Sequence, residues 1–172
     1  MTDVAYSCRD ERLIEASPER CFSVLADLST YAAWWTLVRV VPQDGLIQLK
    51  PGGSFRIEGS RRDATSSEWT VRVLDVEPPA RIDLEYTAGA LLGRTAWELT
   101  GQGTGTRVAY VYRDVRANDS VAAATFSRFG IGLHQAAMQL DALAGLARYL
   151  GGPGSDLDST SWREQVYQNV AT

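Results

Sequence analysis

Hydrophobic and polar positions change their period several times along this chain, and the changes divide it into elements. From Leu13 to Trp35 the spacing is helical. Ser17-Pro18 is a helix start, because a serine hydroxyl accepts from an orphan backbone N–H and proline at the first helical position lacks only a donor that would go unused. Phe22, Leu25 and Ala26 then recur at a spacing that gives the helix one inward face. A short second helix follows, ending in the cluster Tyr31, Trp34 and Trp35. A strand precedes the first helix and ends near Leu13.

Beyond the tryptophans the period becomes two. Leu37–Val41 is β-branched and strand-like, and Pro42, Asp44-Gly45 and Pro51-Gly52-Gly53 mark turns. Residues 54–58 alternate with Phe55 and Ile57 on one face. A longer strand runs from Glu68 to Val76 and stops at Pro78-Pro79. Residues 81–86 place Ile82, Leu84 and Tyr86 against Arg81, Asp83 and Glu85. Thr95, Trp97 and Leu99 oppose Arg94, Ala96 and Glu98. A hairpin turn over residues 101–105 leads to a strand with Val108, Tyr110 and Tyr112 inward. Consecutive strands joined by short turns predict an antiparallel meander with one solvated face.

Asn118-Asp119-Ser120 supplies helix N-cap residues, and the helical period then holds to Leu150, where Gly151-Gly152-Pro153 ends it. Phe126, Phe129, Leu133, Ala137, Leu140, Ala144 and Ala147 form the apolar stripe. Gly130 and Gly132 predict a kink in its first half. Residues 153–172 read as a C-terminal extension with a short helix around Trp162, capped by Ser161 and Glu164. The expected class is α+β: a curved antiparallel sheet wrapped around one long C-terminal helix, with two short helices after the first strand. That helix is the element large enough to cover the apolar face of the sheet. Residues 1–152 are expected to form one ligand-binding domain.

Composition narrows the function. The chain has 172 residues and a net charge of −4, with no basic stripe to neutralise phosphates, so nucleic acid is an unfavoured partner. No apolar run approaches the ~20 residues of a membrane span and no signal peptide is visible, so the expected location is cytoplasmic. Cys8 and Cys21 have no metal-type spacing and are expected to be free thiols. Lys50, the lone lysine, lies in a turn and is expected to be exposed rather than an amine nucleophile. With a single histidine, no metal site is expected, and nothing calls for a cofactor.

Strand, capped helix and aromatic pair, as written in ASPERCFSVLADLSTYAAWW, resemble the opening of the START/polyketide cyclase-dehydrase superfamily of helix-grip proteins. Pro51-Gly52-Gly53-Ser54-Phe55, the stretch from Val73 to Arg81, and Trp97-Glu98-Leu99 follow in that superfamily's order. The resemblance covers roughly residues 4–150 and implies a helix-grip fold enclosing a cavity. It implies a small apolar or polyketide-like ligand, and either a cofactor-independent cyclase/aromatase or a non-catalytic carrier of apolar molecules. A protein-binding accessory module, docking through the helix around Trp162, is a further alternative.

Several residues are candidates for chemistry. Arg72 faces the cavity if Leu74 and Val76 set the register, and solvent if Trp69, Val71 and Val73 do; similar aromatase/cyclases use a cavity arginine near this place to stabilise enolate charge. His134 is the sole side chain with an unperturbed pKa near neutrality, and is either a general base or a structural residue on the flank of the long helix. Tyr86 and Tyr110 can donate to a carbonyl or developing oxyanion, or serve as wall residues. The expected ligand-contacting set has three parts. Tyr31, Trp34 and Trp35 form an entrance wall. Phe55, Ile57, Trp69, Leu84, Trp97 and Tyr112 form the sheet side. Phe126, Phe129, Leu133 and Ala137 form the helix side. Both monomer and homodimer are compatible with the sequence.

Overall fold

The computed structural model describes residues 5–59, 68–118 and 141–151. Strand β1 (Tyr6–Ile14) leads to helix α1 (Pro18–Ala26), a 3-10 turn (Leu28–Thr30) and helix α2 (Tyr31–Trp34). Six strands follow: β2 (Val38–Pro42), β3 (Ser54–Gly59), β4 (Glu68–Glu77), β5 (Arg81–Gly89), β6 (Leu91–Gln102) and β7 (Gly105–Ala117). They form one curled seven-stranded sheet, antiparallel throughout, in the order β1-β7-β6-β5-β4-β3-β2. The α+β class and the meander are as expected from the sequence. Of the long C-terminal helix expected from the sequence, residues 141–149 are described and helical; the stretch holding Phe126, Phe129, Leu133, His134 and Ala137 lies outside the described residues, as does the 153–172 extension.

Local chemistry explains the entry. The Ser17 side chain accepts from the Arg20 N–H at 3.2 Å, and Pro18 opens α1. Asp27 ends α1 and accepts from the Ser29 backbone at 2.9 Å, starting the 3-10 turn. Thr30 Oγ1 donates to the Val24 carbonyl and accepts from Trp34 Nε1 at 3.1 Å, which folds α2 back on α1. The loop after β2 is tied beneath them: Leu28 N–H donates to the Ile47 carbonyl and Leu49 N–H to the Ala26 carbonyl.

The 141–149 helix closes onto this corner. Asp141, fully buried, accepts from the Thr36 and Leu37 backbone N–H groups, both at 3.0 Å. Ala142, Leu143, Leu146 and Ala147 enter the same core as the inner face of the sheet.

Strands β6 and β7 outrun the alternation seen in sequence. Register shifts between Leu92 and Arg94, where Gly93 adopts φ +131°. A Cβ there would meet the Asp114 carbonyl oxygen at 2.6 Å, so the bulge requires glycine. The bulge lets β6 start at Leu91 although residues 88–93 show no period of two.

The outer face carries charge. Glu98 takes three arginines, Arg9, Arg113 at 2.8 Å and Arg81 at 3.6 Å, while Arg81 also pairs with Asp83 at 2.7 Å. This is the solvated face predicted for a meander.

Candidate functional site on the inner face of the sheet

Residues directly opposite on antiparallel strands point to the same face, so the pairing registers lay out the inner face as rows. One row reads Ile82, Trp97, Tyr110 and Asp10 across β5, β6, β7 and β1. The next reads Val73, Leu84, Thr95, Tyr112 and Cys8 across β4 to β1. A third places Phe55, Val71 and Tyr86 opposite Gly93. With no side chain at Gly93, the Tyr86 ring can lean toward β7, and its hydroxyl meets that of Tyr110 at 2.8 Å.

Around this pair the rings are continuous. Trp97 and Tyr110 lie 4.3 Å apart between centroids, Tyr110 meets Tyr112 edge-on at 5.3 Å, and Tyr86 joins Trp69 at 6.1 Å. On the helix side Trp34 stacks on Trp35, and both present edges to Trp97. Tilted and edge-to-face contacts of this kind add to the area they bury.

Burial dominates the electrostatics. Tyr86, Tyr110 and Tyr112 are held well above the usual phenol range, first because desolvation penalises the phenolate. Thr95 Oγ1 borders the Tyr86–Tyr110 pair and favours its ionised forms, though without a hydrogen bond of good geometry. Near neutral pH these phenols are therefore donors, not proton acceptors. Two hydroxyls sharing one hydrogen bond leave one O–H proton uncommitted by that bond.

The sequence-derived candidates divide as follows. Phe55, Ile57, Trp69, Leu84, Tyr86, Trp97, Tyr110 and Tyr112 all lie on the inner face and are buried. Arg72 requires a correction. It is exposed on the outer face, because Trp69, Val71 and Val73 set the register inward and the bulge at Leu74 comes one step too late to turn it. Tyr31, Trp34 and Trp35 also differ from the expected entrance wall. At 1 to 3% exposure they are packed within the core, and the Tyr31 hydroxyl donates to the Leu25 carbonyl at 2.8 Å. Burial likewise raises the Tyr31 pKa. Their role here is to brace α2 against Trp97. Lys50 is exposed and both cysteines are free, as expected.

Sequence reasoning missed two inner-face residues. Alternation places Thr95 on its face but gives no sign of a role. Asp10 lies in a strand whose two faces both carry charges, so alternation is silent there.

An open, polar groove of about 420 Å³ lies around the β-bulge at Gly93, lined by Glu85, Tyr86, Gly93, Arg94, Arg113 and Asp114 among others. Most of its lining is charged, and Tyr86 is the one member of the aromatic rows that borders it. No group of three or more metal-ligating side chains occurs among the described residues, and no helix among them is long and apolar enough to cross a membrane.

Comparison with known proteins now decides the family. The family described as "Polyketide cyclase / dehydrase and lipid transport" matches residues 5–151. The chain belongs to this family. Solved structures with the same fold include TTHA0849 from Thermus thermophilus, 18% identical over 84% of this chain and 97% of that one, with a TM-score of 0.69. Mll3558 from Rhizobium loti is 23% identical over 86% of this chain and 99% of its own, with a TM-score of 0.62. DynU16, a protein of the dynemicin biosynthetic locus, is 19% identical over 84% of this chain and 46% of that chain, with a TM-score of 0.56. No protein of curated function matches the sequence. Membership in the cyclase/dehydrase and lipid-transport family supports small apolar ligands as partners, and the buried aromatic rows fit ligand binding.

Proposed function

We propose that this member of the cyclase/dehydrase family takes up an oxygenated, polyketide-like chain against the inner face of the sheet and promotes its aldol cyclisation without a cofactor. The observation that carries the reading is the Tyr86–Tyr110 hydroxyl pair, set at 2.8 Å inside a wall of apolar rings. In low-dielectric surroundings a fixed O–H donor polarises a carbonyl and stabilises the oxyanion that forms as a carbon nucleophile adds. The aromatic wall contributes by holding a flexible chain in a folded shape, which removes the entropy of bringing its two ends together. Dehydration of the aldol would complete an aromatase-type reaction.

The carrier reading has its own support. Arg72 is turned away from the inner face, and the phenols are held protonated, so none of the described residues first considered for catalysis accepts a proton there. The two readings part in one experiment. The protein is incubated with a short poly-β-keto thioester, and the products are followed by mass spectrometry, with binding followed by tryptophan fluorescence. A cyclised product formed faster than in buffer, and slowed about 10²-fold by Tyr86→Phe with Tyr110→Phe, is expected. Tight binding with the chain recovered unchanged would leave the carrier.

A further inference from the structure

The inner face is not closed equally along its length. In the middle of the sheet its residues are fully buried, whereas along β1 the inward positions Tyr6, Cys8, Asp10 and Arg12 are only half-buried, until Ile14 enters the core. The β1 edge is thus where the aromatic rows meet more accessible space. Asp10 stands at that edge in the same row as Tyr110 and Trp97, and opposed residues of such a pair have Cβ atoms about 5 Å apart.

Its carboxylate makes no hydrogen bond or ion pair among the described residues, although arginines and glutamates pair freely on the other face of the same strand. A half-buried carboxylate with no hydrogen bond or ion pair among the described residues calls for a reason. Among the described residues the groups that face it are Tyr110 and Tyr112 from β7 and Cys8 and Arg12 from its own strand. Desolvation raises its pKa, which strengthens it as a base.

Resting on the cyclisation reading, we propose that Asp10 is the proton acceptor of the site, working beside the Tyr86–Tyr110 donor pair. The Asp10 carboxylate takes a proton from a methylene flanked by carbonyls. The C–H electron pair moves into the adjacent carbonyl to give an enolate, whose oxygen accepts from the tyrosine hydroxyl. The enolate carbon then adds to a second carbonyl of the same chain, forming one C–C bond, and the resulting alkoxide recovers the proton from the Asp10 carboxylic acid. No oxidant, metal or external acid enters the balance. The geometry also gives the site a direction: the chain's methylene lies at the β1 edge and its acceptor carbonyl deeper, under Tyr86.

The test compares wild type, Asp10→Asn, Asp10→Glu and Asp10→Ala with the same poly-β-keto thioester, measuring kcat for cyclised product and Kd by tryptophan fluorescence. The expected result is a loss of about 10²-fold in kcat for Asp10→Asn with Kd within about threefold, partial recovery in Asp10→Glu, and rescue of Asp10→Ala by added formate. Formate rescue is a response that a merely structural aspartate would not give. If wild type cyclises the probe and Asp10→Asn does so equally well, or loses only affinity, the assignment of Asp10 is overturned while the cyclase reading stands. If wild type binds the probe and forms no product, the cyclase reading fails and takes this assignment with it.

Discussion

At the scale of single residues, the inner face depends on what two phenols do with each other. Tyr86 and Tyr110 are buried and joined at 2.8 Å. Removing either hydroxyl leaves the other to lose a partner in a place water does not reach. Net hydrogen-bond contributions are about 1 kcal/mol, so a double-mutant cycle of Tyr86→Phe and Tyr110→Phe is expected to give a coupling of that order in urea denaturation. A coupling indistinguishable from zero would mean the two hydroxyls do not share a bond in solution. Asp141 is the opposite kind of buried polar group. It is fully enclosed and spends its oxygens on the Thr36 and Leu37 N–H groups, so it holds structure rather than waiting for a ligand.

At the scale of elements, the 141–149 helix and α2 are in backbone contact. A Cβ on Gly145 would overlap the Trp34 carbonyl oxygen, which a flexible side chain cannot relieve because the obstacle is backbone. Gly145→Ala is therefore expected to cost about 3 kcal/mol, seen as a lowered urea midpoint with lost near-UV tryptophan signal. A wild-type midpoint would show that the two helices stand further apart than described. The elements themselves were largely legible in the sequence. Ser17-Pro18 marked α1, and strict alternation gave Phe55 with Ile57 and Ile82 through Tyr86 their inward faces. Alternation failed where it was broken or uninformative. In β4, Trp69-Thr70-Val71-Arg72-Val73-Leu74-Asp75-Val76 supports two registers, and the choice rests on the position of a bulge that neighbouring strands impose. In β1, Arg9 and Glu11 on one face and Asp10 and Arg12 on the other cancel the signal, so the residue now proposed as the base was invisible. The entrance-wall expectation for Tyr31 failed for a different reason, since sequence shows that an aromatic group is present but not what its hydroxyl bonds to.

At the scale of the whole molecule, one core joins the inner sheet face, α1, α2 and the 141–149 helix, and its chemistry makes stability depend on alkali. Burial raises Tyr31, Tyr86, Tyr110 and Tyr112, four of the chain's seven tyrosines. Below the ordinary phenol value of about 10 both folded and unfolded chains keep these protons, so the groups add no pH dependence. Above it the unfolded chain releases protons the folded one retains, and stability falls as pH rises. The unfolding temperature is expected to drop steeply above about pH 10, with the 295 nm absorbance of these four tyrosines appearing only as the fold is lost. All seven ionising near pH 10 in a chain that keeps its circular dichroism would contradict the burial. The strand order has a consequence in time. Strand β1 is made before the other described strands of the sheet and finds its neighbour only in β7, the last of them, with Tyr6 opposite Val115 and Ile14 opposite Thr106. Until that late partner emerges, β1 and the carboxylate it carries have no sheet to join. The edge at which the proposed base sits is therefore assembled by the most distant strand pairing in the sheet, and the slow closure of such long loops makes competence of the site one of the last properties the growing chain acquires.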